Sequence, residues 1–228
     1  MLQDGSLDPQ FQIFTTLVIG GGEQIIPLSI GRIERHAYPI MDIAAIELLP
    51  AGPFPEDYVW KLPTLDLLPP PLGAQVTAFG YANSRVSPPT QEKQNTLDQY
   101  PTMSTGEVVE VHHHRRDSSN LRFPCFRTNA RFDGGMSGGP VYSKAGHICG
   151  IVCSNMPPML EEDEHISYVS MLWPGLGISI RQPWVRQPAG TTLYELAAAG
   201  VIQTIGLEKL QVTRNPDGSL AALGPPGA

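Results

Sequence analysis

The sequence has little positive charge and no long apolar run. Its 15 Lys and Arg residues are outnumbered by 22 Asp and Glu residues, which gives a formal net charge of −7. Because binding to a phosphate backbone needs clustered positive charge, this balance argues against a nucleic-acid partner. No stretch approaches the roughly 20 apolar residues that a membrane-spanning helix requires, so no membrane partner is predicted.

Cysteine is also scarce, and the 3 cysteines cannot all pair. Cys149 and Cys153 point to the same side of an apolar strand, too far apart along it for an unstrained disulfide. Buried free thiols in a reducing compartment are the simplest account of them and of Cys125. Residues 1–5 lack the basic and then apolar run of a secretory signal. The chain as it stands is therefore expected in the cytoplasm; a secreted or periplasmic location stays open if the natural N-terminus lies upstream of Met1.

Glycine and proline, in contrast, are abundant, with 23 of each in 228 residues. This composition favours short strands joined by turns. Residues 12–19, 24–33 and 43–48 are rich in Ile, Val, Leu and Thr, and predict three strands, the first two separated by a glycine turn at 20–22. Prolines across 50–73 exclude a sheet interior and predict a loop and then a linker. We expect a first structural half over residues 1–70 and a second over 71–185.

The second half shows a regular succession of short apolar segments. They predict strands at 74–81, 106–113, 122–129, 140–143, 147–153, 166–172 and 176–180, with long loops at 84–102 and 155–165. Such spacing is typical of a β-barrel. Thr192 and Glu195 form a capping-box pattern, which predicts a helix over about 191–203 within a C-terminal segment 186–213. Residues 214–228 are expected to be a flexible tail.

The most informative motif is Gly134-Gly135-Met136-Ser137-Gly138-Gly139-Pro140. Glycines permit a sharp turn that lifts the Ser137 hydroxyl out of the chain. Such a turn also aims the N–H groups of Gly135 and Ser137 at one point, which is the geometry of an oxyanion hole. A surface turn would explain Gly-x-Ser-Gly alone. The Gly-Pro that follows and the strand after it favour a nucleophile.

This motif resembles the nucleophile loop of the chymotrypsin/trypsin-like serine proteases. Residues 128–134 resemble the segment that approaches that loop, and residues 141–152 the strand–turn–strand that follows; weaker similarity covers 12–180. The resemblance implies an all-β fold of two antiparallel six-stranded-type barrels, the first incomplete, with a C-terminal helix. It also implies a serine endopeptidase that hydrolyses polypeptides through an acyl-enzyme at Ser137, without a cofactor or a metal ion. Nothing in the sequence indicates an oligomeric state.

The same resemblance suggests further site residues. Asp42 enters an apolar strand as the triad aspartate does in the family, although a strand-initiating cap would explain it too. Cys153, Ser154 and Asn155 are similar to the strand that binds an extended substrate, and Arg131 belongs to the approach loop that also contacts substrate. Met136 stands where the family usually has Asp or Asn, so the buried ion pair of zymogen activation is not expected.

The histidine base of the family is not found. It should lie in a Thr-Ala-Ala-His-type segment before Asp42, but no histidine occurs between Met1 and Arg35. Three explanations remain: a chain that begins late, an inactive relative, or a substitute base, with His36 the first to consider. The alternative function is a non-catalytic module that binds peptides or proteins in the same cleft.

A triple-histidine run, His112-His113-His114, also attracts attention. Adjacent strand residues face opposite sides, so at most His112 and His114 could share an ion. Without spaced partners, they are interpreted as solvated histidines at a strand end, and no metal site is predicted.

Overall fold

The computed structural model describes residues 15–19, 24–35, 41–87, 96–156, 165–180, 190–216 and 220–226. The chain separates into two compact units. The first unit comprises residues 1–34 and 44–61, and the second comprises residues 35–43 and 62–228.

The first unit contains a three-stranded sheet. β1 (Thr15–Ile19) pairs antiparallel with β2 (Gln24–Arg35), and β3 (Ala44–Pro50) lies on the other side of β2. The predicted glycine turn at 20–22 lies outside the described residues. The proline-rich segment after β3 forms a side-chain cluster, with ring centroids 5.0 to 5.2 Å apart among Phe54, Tyr58 and Trp60. Aromatic packing thus organises a segment whose prolines disfavour backbone pairing.

The second unit is built on a closed barrel. The barrel belongs to an eight-stranded sheet, whose strands are β4 (Leu65–Asp66), β5 (Gln75–Ser87), β6 (Thr96–His112), β7 (Cys125–Thr128), β8 (Pro140–Ser143), β9 (Ile148–Met156), β10 (Ile166–Ser170) and β11 (Thr204–Ile205). The pairing order β10-β7-β6-β5-β8-β9 closes because β9 also pairs with β10, so six strands form the ring. This confirms the predicted all-β class.

The barrel encloses the main hydrophobic core. Strand residues that alternate inward contribute most of it, because successive side chains of a strand point to opposite faces. Fully buried members include Val76, Val108, Phe126, Val141 and Val169. Met136, from the loop between β7 and β8, is 0% exposed and belongs to the same core. The motif that carries Ser137 is therefore attached directly to the interior of the barrel.

The predicted loop at 84–102 is wrong for the described residues 84–87 and 96–102, which lie in strands. β5 and β6 form one long hairpin, and their pairing continues from Gln75↔Glu107 to Ser87↔Thr96. Residues 98–100 are exposed, so this part of the hairpin lacks the apolar alternation by which a half-buried strand is recognised. Its polar composition is therefore that of a loop, although its backbone is paired.

Two expectations for the C-terminal part, the strand at 176–180 and the length of the helix, also differ from the structure. The strand predicted at 176–180 is replaced by a 3₁₀ helix over Trp173–Gly177, with Pro174 in its first turn, where a missing N–H does no harm. Helix α1 begins after its N-cap Thr192, whose capping box with Glu195 is confirmed, but it covers only Leu193–Ala198. Gly200, at φ +73°, then turns the chain away.

The expected tail instead contains a β-hairpin, in which β12 (Gln211–Arg214) pairs antiparallel with β13 (Leu220–Gly224). Among the described residues, no helix is long and apolar enough to cross a bilayer.

Candidate functional site

The loop that carries Ser137 is held on both sides of the serine. Met136 N–H donates to the Asp133 carbonyl at 3.1 Å, and Gly139 N–H donates to the Met136 carbonyl at 2.9 Å. Gly138 N–H donates to the carbonyl of Val152, whose own N–H donates to the Gly139 carbonyl. Between these anchors Ser137 is exposed. A hydroxyl on a rigid, tethered turn is what a nucleophile requires.

Two glycines of the loop are required by the space around them, and the first of them also by its backbone torsion. Gly135 has φ +96°, and a Cβ on it would lie 2.5 Å from the Tyr81 carbonyl oxygen. A Cβ on Gly139 would collide with the carbonyl oxygen of Phe79. The loop thus lies against the backbone of β5, and any side chain at these positions would push it away.

The orientation of the Gly134–Gly135 peptide is set by Asn83. The Asn83 N–H donates to the Gly134 carbonyl at 3.2 Å. Because the C=O and N–H of a trans peptide point in opposite directions, the Gly135 N–H faces away from β5. Within the described part of the chain, the N–H groups of Gly135 and Ser137 are bonded to no acceptor. Both donors are therefore without a protein partner in that part of the chain.

The close approach of Gly135 to β5 leads to a stability prediction. We expect Gly135→Ala to destabilise the protein by about 1–3 kcal/mol, because it forces a side chain into a left-handed conformation and into contact with Tyr81. Gly134→Ala is the matched control, since a Cβ there meets nothing within 4 Å. Urea unfolding of the two variants measures the difference. Equal stabilities would show that the loop can move away from β5.

Asp42 lies in the second unit, just before β3, and lines a cavity of about 430 Å³ with Cys153 and Ser154. Its side chain is exposed. Val152, which bonds to the Ser137 loop, directly precedes Cys153 in β9. The three residues Val152 to Ser154 therefore contact the serine loop at one end and the Asp42 cavity at the other.

Cys153 lies at a bulge where the pairing of β9 with β10 shifts register, and its Sγ donates to the Tyr168 carbonyl at 3.2 Å. Burial first, and then the neighbouring Cys125 and Asp42, raise the pKa of the Cys153 thiol to about 12. The thiol is therefore protonated at neutral pH. It can donate a hydrogen bond beside the cavity but cannot act there as a thiolate.

Another wall of this cavity is the segment 120–123, which Asp117 organises. Its Oδ1 accepts backbone N–H groups from Asn120 at 2.6 Å, Ser119 at 2.8 Å and Leu121 at 3.1 Å. These bonds, with Asn120 contributing most, hold the pKa of Asp117 well below its usual range. A carboxylate that accepts several N–H groups fixes a turn much as a helix N-cap does.

The low pKa of Asp117 predicts a pH-dependent stability. A depressed folded-state pKa stabilises the protein above the unfolded value, near pH about 4, and this contribution is lost as the pH falls below it. We therefore expect Asp117→Asn to lower the Tm at pH 7, and the difference from the parent protein to shrink as the pH falls below about 4. Thermal denaturation at pH 7, 5 and 3 checks this, with the exposed Asp98→Asn as control. A Tm difference independent of pH would contradict the assignment.

The other predicted residues are more dispersed. Arg131 is exposed, and its Nε lies 2.7 Å from Oδ1 of Asp133. The Asn155 backbone pairs with Ser167 in β9–β10, and its side chain is outside the described residues. His36 is also outside them. The structure thus connects the loop that carries Ser137 to Val152 of β9, and places Asp42 with Cys153 and Ser154 around one cavity. Gly135 lies against β5, and Arg131 is paired in the loop before the serine.

The histidine run is divided between two environments. His112 Nε2 lies 3.4 Å from Glu110 Oε2, whereas His113 and His114 are exposed. In the described ranges, no three His, Cys, Asp or Glu side chains are grouped as metal ligands.

Asn83 is the residue that sequence reasoning missed. It adopts φ +56° next to a shift in the β5–β6 register, and few residues other than glycine tolerate that conformation as well as Asn. The Asn83-Ser84 pair, just after the apolar strand expected at 74–81, was a usable signal for such a bulge.

Comparison with known proteins places this geometry in context. The family model described as the trypsin-like peptidase domain matches residues 7–151. No curated protein matches the chain. Among solved structures, an inactive form of Rv3671c from M. tuberculosis H37Rv is 17% identical with TM-score 0.41, covering 66% of this chain and 62% of its own. The MamO protease domain from Magnetospirillum magneticum is 16% identical with TM-score 0.39, covering 69% of each chain. This chain therefore spans less than two thirds of the Rv3671c chain.

Proposed function

Because the chain belongs to the trypsin-like peptidase domain family, we propose that it is a serine endopeptidase whose nucleophile is Ser137. In this reaction Ser137 Oγ attacks the scissile carbonyl, its proton passes to a base, and the amine leaves as the acyl-enzyme forms. Water then releases the acyl group. The N–H groups of Gly135 and Ser137 stabilise the oxyanion in both steps.

The observation that supports this proposal most is the orientation of the Gly134–Gly135 peptide. With its carbonyl bonded to Asn83, the peptide turns its N–H away from β5, two residues before the exposed Ser137. Preorganised donors of this kind are usually the largest single contribution to acyl-transfer catalysis.

Asp42 is proposed as the residue that orients the base. Its carboxylate lines a cavity of about 430 Å³, which is large enough for an imidazole ring. The base itself is absent from residues 1–35 of the sequence. We therefore propose that this chain is a weak enzyme unless the histidine is supplied from elsewhere.

Free imidazole tests the proposal directly. We expect imidazole to accelerate labelling of the chain by a fluorophosphonate at least about tenfold, a fraction of the 10²–10⁴ that a positioned base contributes. Ser137→Ala should abolish the labelling, and Asp42→Asn should remove the acceleration. Asp98→Asn, an exposed acid on the β5–β6 hairpin, should retain it. Labelling at a residue other than Ser137, or an acceleration unaffected by Asp42→Asn, would contradict the proposed roles.

The missing base supports a second candidate, a protease-like module that binds extended peptides without cutting them. It would use the same stretch of β9 by strand addition. If peptides bind and the chain stays unreactive with imidazole, and Ser137→Ala leaves peptide affinity unchanged, this second function is favoured.

A further inference from the structure

An apolar cavity of about 320 Å³ lies beside the loop that carries Ser137. Its walls belong to the second unit and come from that loop, from β4 and β9, and from the 3₁₀ helix and α1. Every described lining residue is aliphatic, proline or glycine, among them Ile43, Gly138, Pro140, Ile151, Leu176 and Leu193. Within the described ranges, the cavity therefore presents no polar side chain to a ligand.

Backbone donors of the walls already have partners. The N–H groups of Gly138, Ile148 and Leu193 donate to carbonyl groups within the second unit, at 2.8, 2.9 and 3.0 Å. A polar group placed in the cavity would therefore lose its hydration without gaining these donors. An apolar cavity of about 150 Å³ stays dry and binds a benzene ring. A cavity of about 320 Å³ is thus large enough for a leucine side chain.

Several of the lining side chains keep accessible apolar surface. Leu65, Ile151, Leu172, Leu193 and Ile202 are half-buried, whereas the residues of the barrel core are buried. Covering apolar surface is favourable, by an amount that grows with the area removed from water. The cavity therefore favours an additional apolar group.

The position of the cavity connects it with the proposed site. Asp42 lines the cavity of about 430 Å³, and the next residue, Ile43, lines the apolar one. Likewise, Ser137 is followed directly by Gly138 in the wall, where a Cβ would meet nothing within 4 Å. A base that acts between Asp42 and Ser137 hydrogen-bonds to both, at about 3 Å. The segment that carries such a base therefore passes close to the apolar cavity.

We propose that this cavity is the docking site for an extended segment of a partner polypeptide, in which an apolar side chain lies two residues before a histidine. The apolar side chain fills the cavity, and the histidine takes the Ser137 proton and later returns it to the leaving amine. The spacing is two residues because alternate side chains of an extended segment face the same side. This inference rests on the proposed peptidase function and assigns the source of its missing base.

The peptide acetyl-Thr-Leu-Ala-His-Ser-amide is the probe. At equal concentration, we expect it to accelerate fluorophosphonate labelling of Ser137 in the full chain at least about tenfold more than free imidazole does. The reason is that burial of the leucine side chain raises the local concentration of the base. The matched control peptide has Asp in place of Leu and should be no more effective than imidazole.

Two neighbouring residues provide matched variants of the protein. Ile202→Glu places a charge in the cavity wall and should remove the advantage of the peptide over imidazole. Val201→Glu, at a residue that is 50% exposed and outside the cavity wall, should retain it. Ile202→Phe, which fills the cavity with an apolar ring, should reduce the advantage too. Acceleration by free imidazole should persist in all three variants, and thermal unfolding verifies that each is folded.

Binding is measured separately, by the fluorescence anisotropy of rhodamine-labelled peptides in which Gln replaces His. The Leu peptide should bind at least about tenfold more tightly than the Asp peptide. If this preference holds and neither the histidine peptide nor imidazole leads to labelling, only the peptidase function is rejected. Equal effects of the Leu and Asp peptides, or an undiminished advantage in Ile202→Glu, would overturn the proposal, while acceleration by free imidazole would still support the peptidase function.

Discussion

Casein should be cleaved by this chain at a rate at least about 10³-fold below that of a form in which a histidine base is present. The reason is that Ser137 keeps its proton at neutral pH without a base, and only oxyanion stabilisation and substrate binding remain. A chain extended by its upstream genomic sequence, if that sequence encodes a Thr-Ala-Ala-His-like segment, provides the comparison. Initial rates on fluorescein-labelled casein measure the difference.

Ser137→Ala in the extended form is the control, and it should return the rate to the background of the short chain. Rapid casein cleavage by the short chain would show instead that another residue acts as base. His36→Ala would then be the first variant to examine, because His36 is the histidine nearest in sequence to Asp42.

Met136→Asp is expected to destabilise the protein by about 3–5 kcal/mol, the usual cost of a buried charge without a partner. Met136 is 0% exposed within the barrel core, and its Sδ accepts from the Asp133 N–H at 3.4 Å. The space is tight, since a Cβ on Gly80 would lie 2.8 Å from the Met136 Cα. A carboxylate placed there would lose its hydration and face mostly apolar neighbours.

The control for this prediction is Met136→Leu, which keeps an apolar side chain of similar volume and should cost less than about 1.5 kcal/mol. Urea unfolding at pH 7 and pH 4 measures both variants. The penalty of the aspartate should be smaller at pH 4, because a buried carboxyl that becomes neutral is less costly. If Met136→Asp is as stable as Met136→Leu at pH 7, a cationic group must reach this position.

Met136 also illustrates how much of the site the sequence could indicate. The glycine pattern around Ser137 predicted a sharp turn, and the departure from Asp or Asn at 136 excluded an ion pair there. The depth of Met136 in the core was not visible, because it depends on the closure of six strands that are distant in sequence. Likewise, Asn83 contacts Gly134 across the fold, and no local pattern connects the two.

Two strands with a buried face were predicted well. Residues 140–143 form β8, and of the strand predicted at 166–172, residues 166–170 form β10; both follow the alternation or apolar content that burial imposes. The outer part of the β5–β6 hairpin escaped detection, because exposed strands carry no such pattern. The C-terminal hairpin was missed for a related reason: its turn residues, Asn215-Pro216-Asp217-Gly218, suggested a loose end when they connect two strands.

Two buried cysteines and the half-buried Cys153 make the barrel suitable for kinetic measurements of its own opening. Burial raises the thiol pKa to about 11 for Cys125 and to about 12 for Cys149 and Cys153. Since only the thiolate is alkylated, iodoacetamide at pH 8 should react with the folded thiols roughly 10³-fold more slowly than with those of an unfolded chain. Cys125 lies in β7 and the other two in β9, both strands of the closed ring. Alkylation followed by mass spectrometry would therefore measure the fraction of molecules in which strands of the barrel have separated, and it would use only the chain's own cysteines.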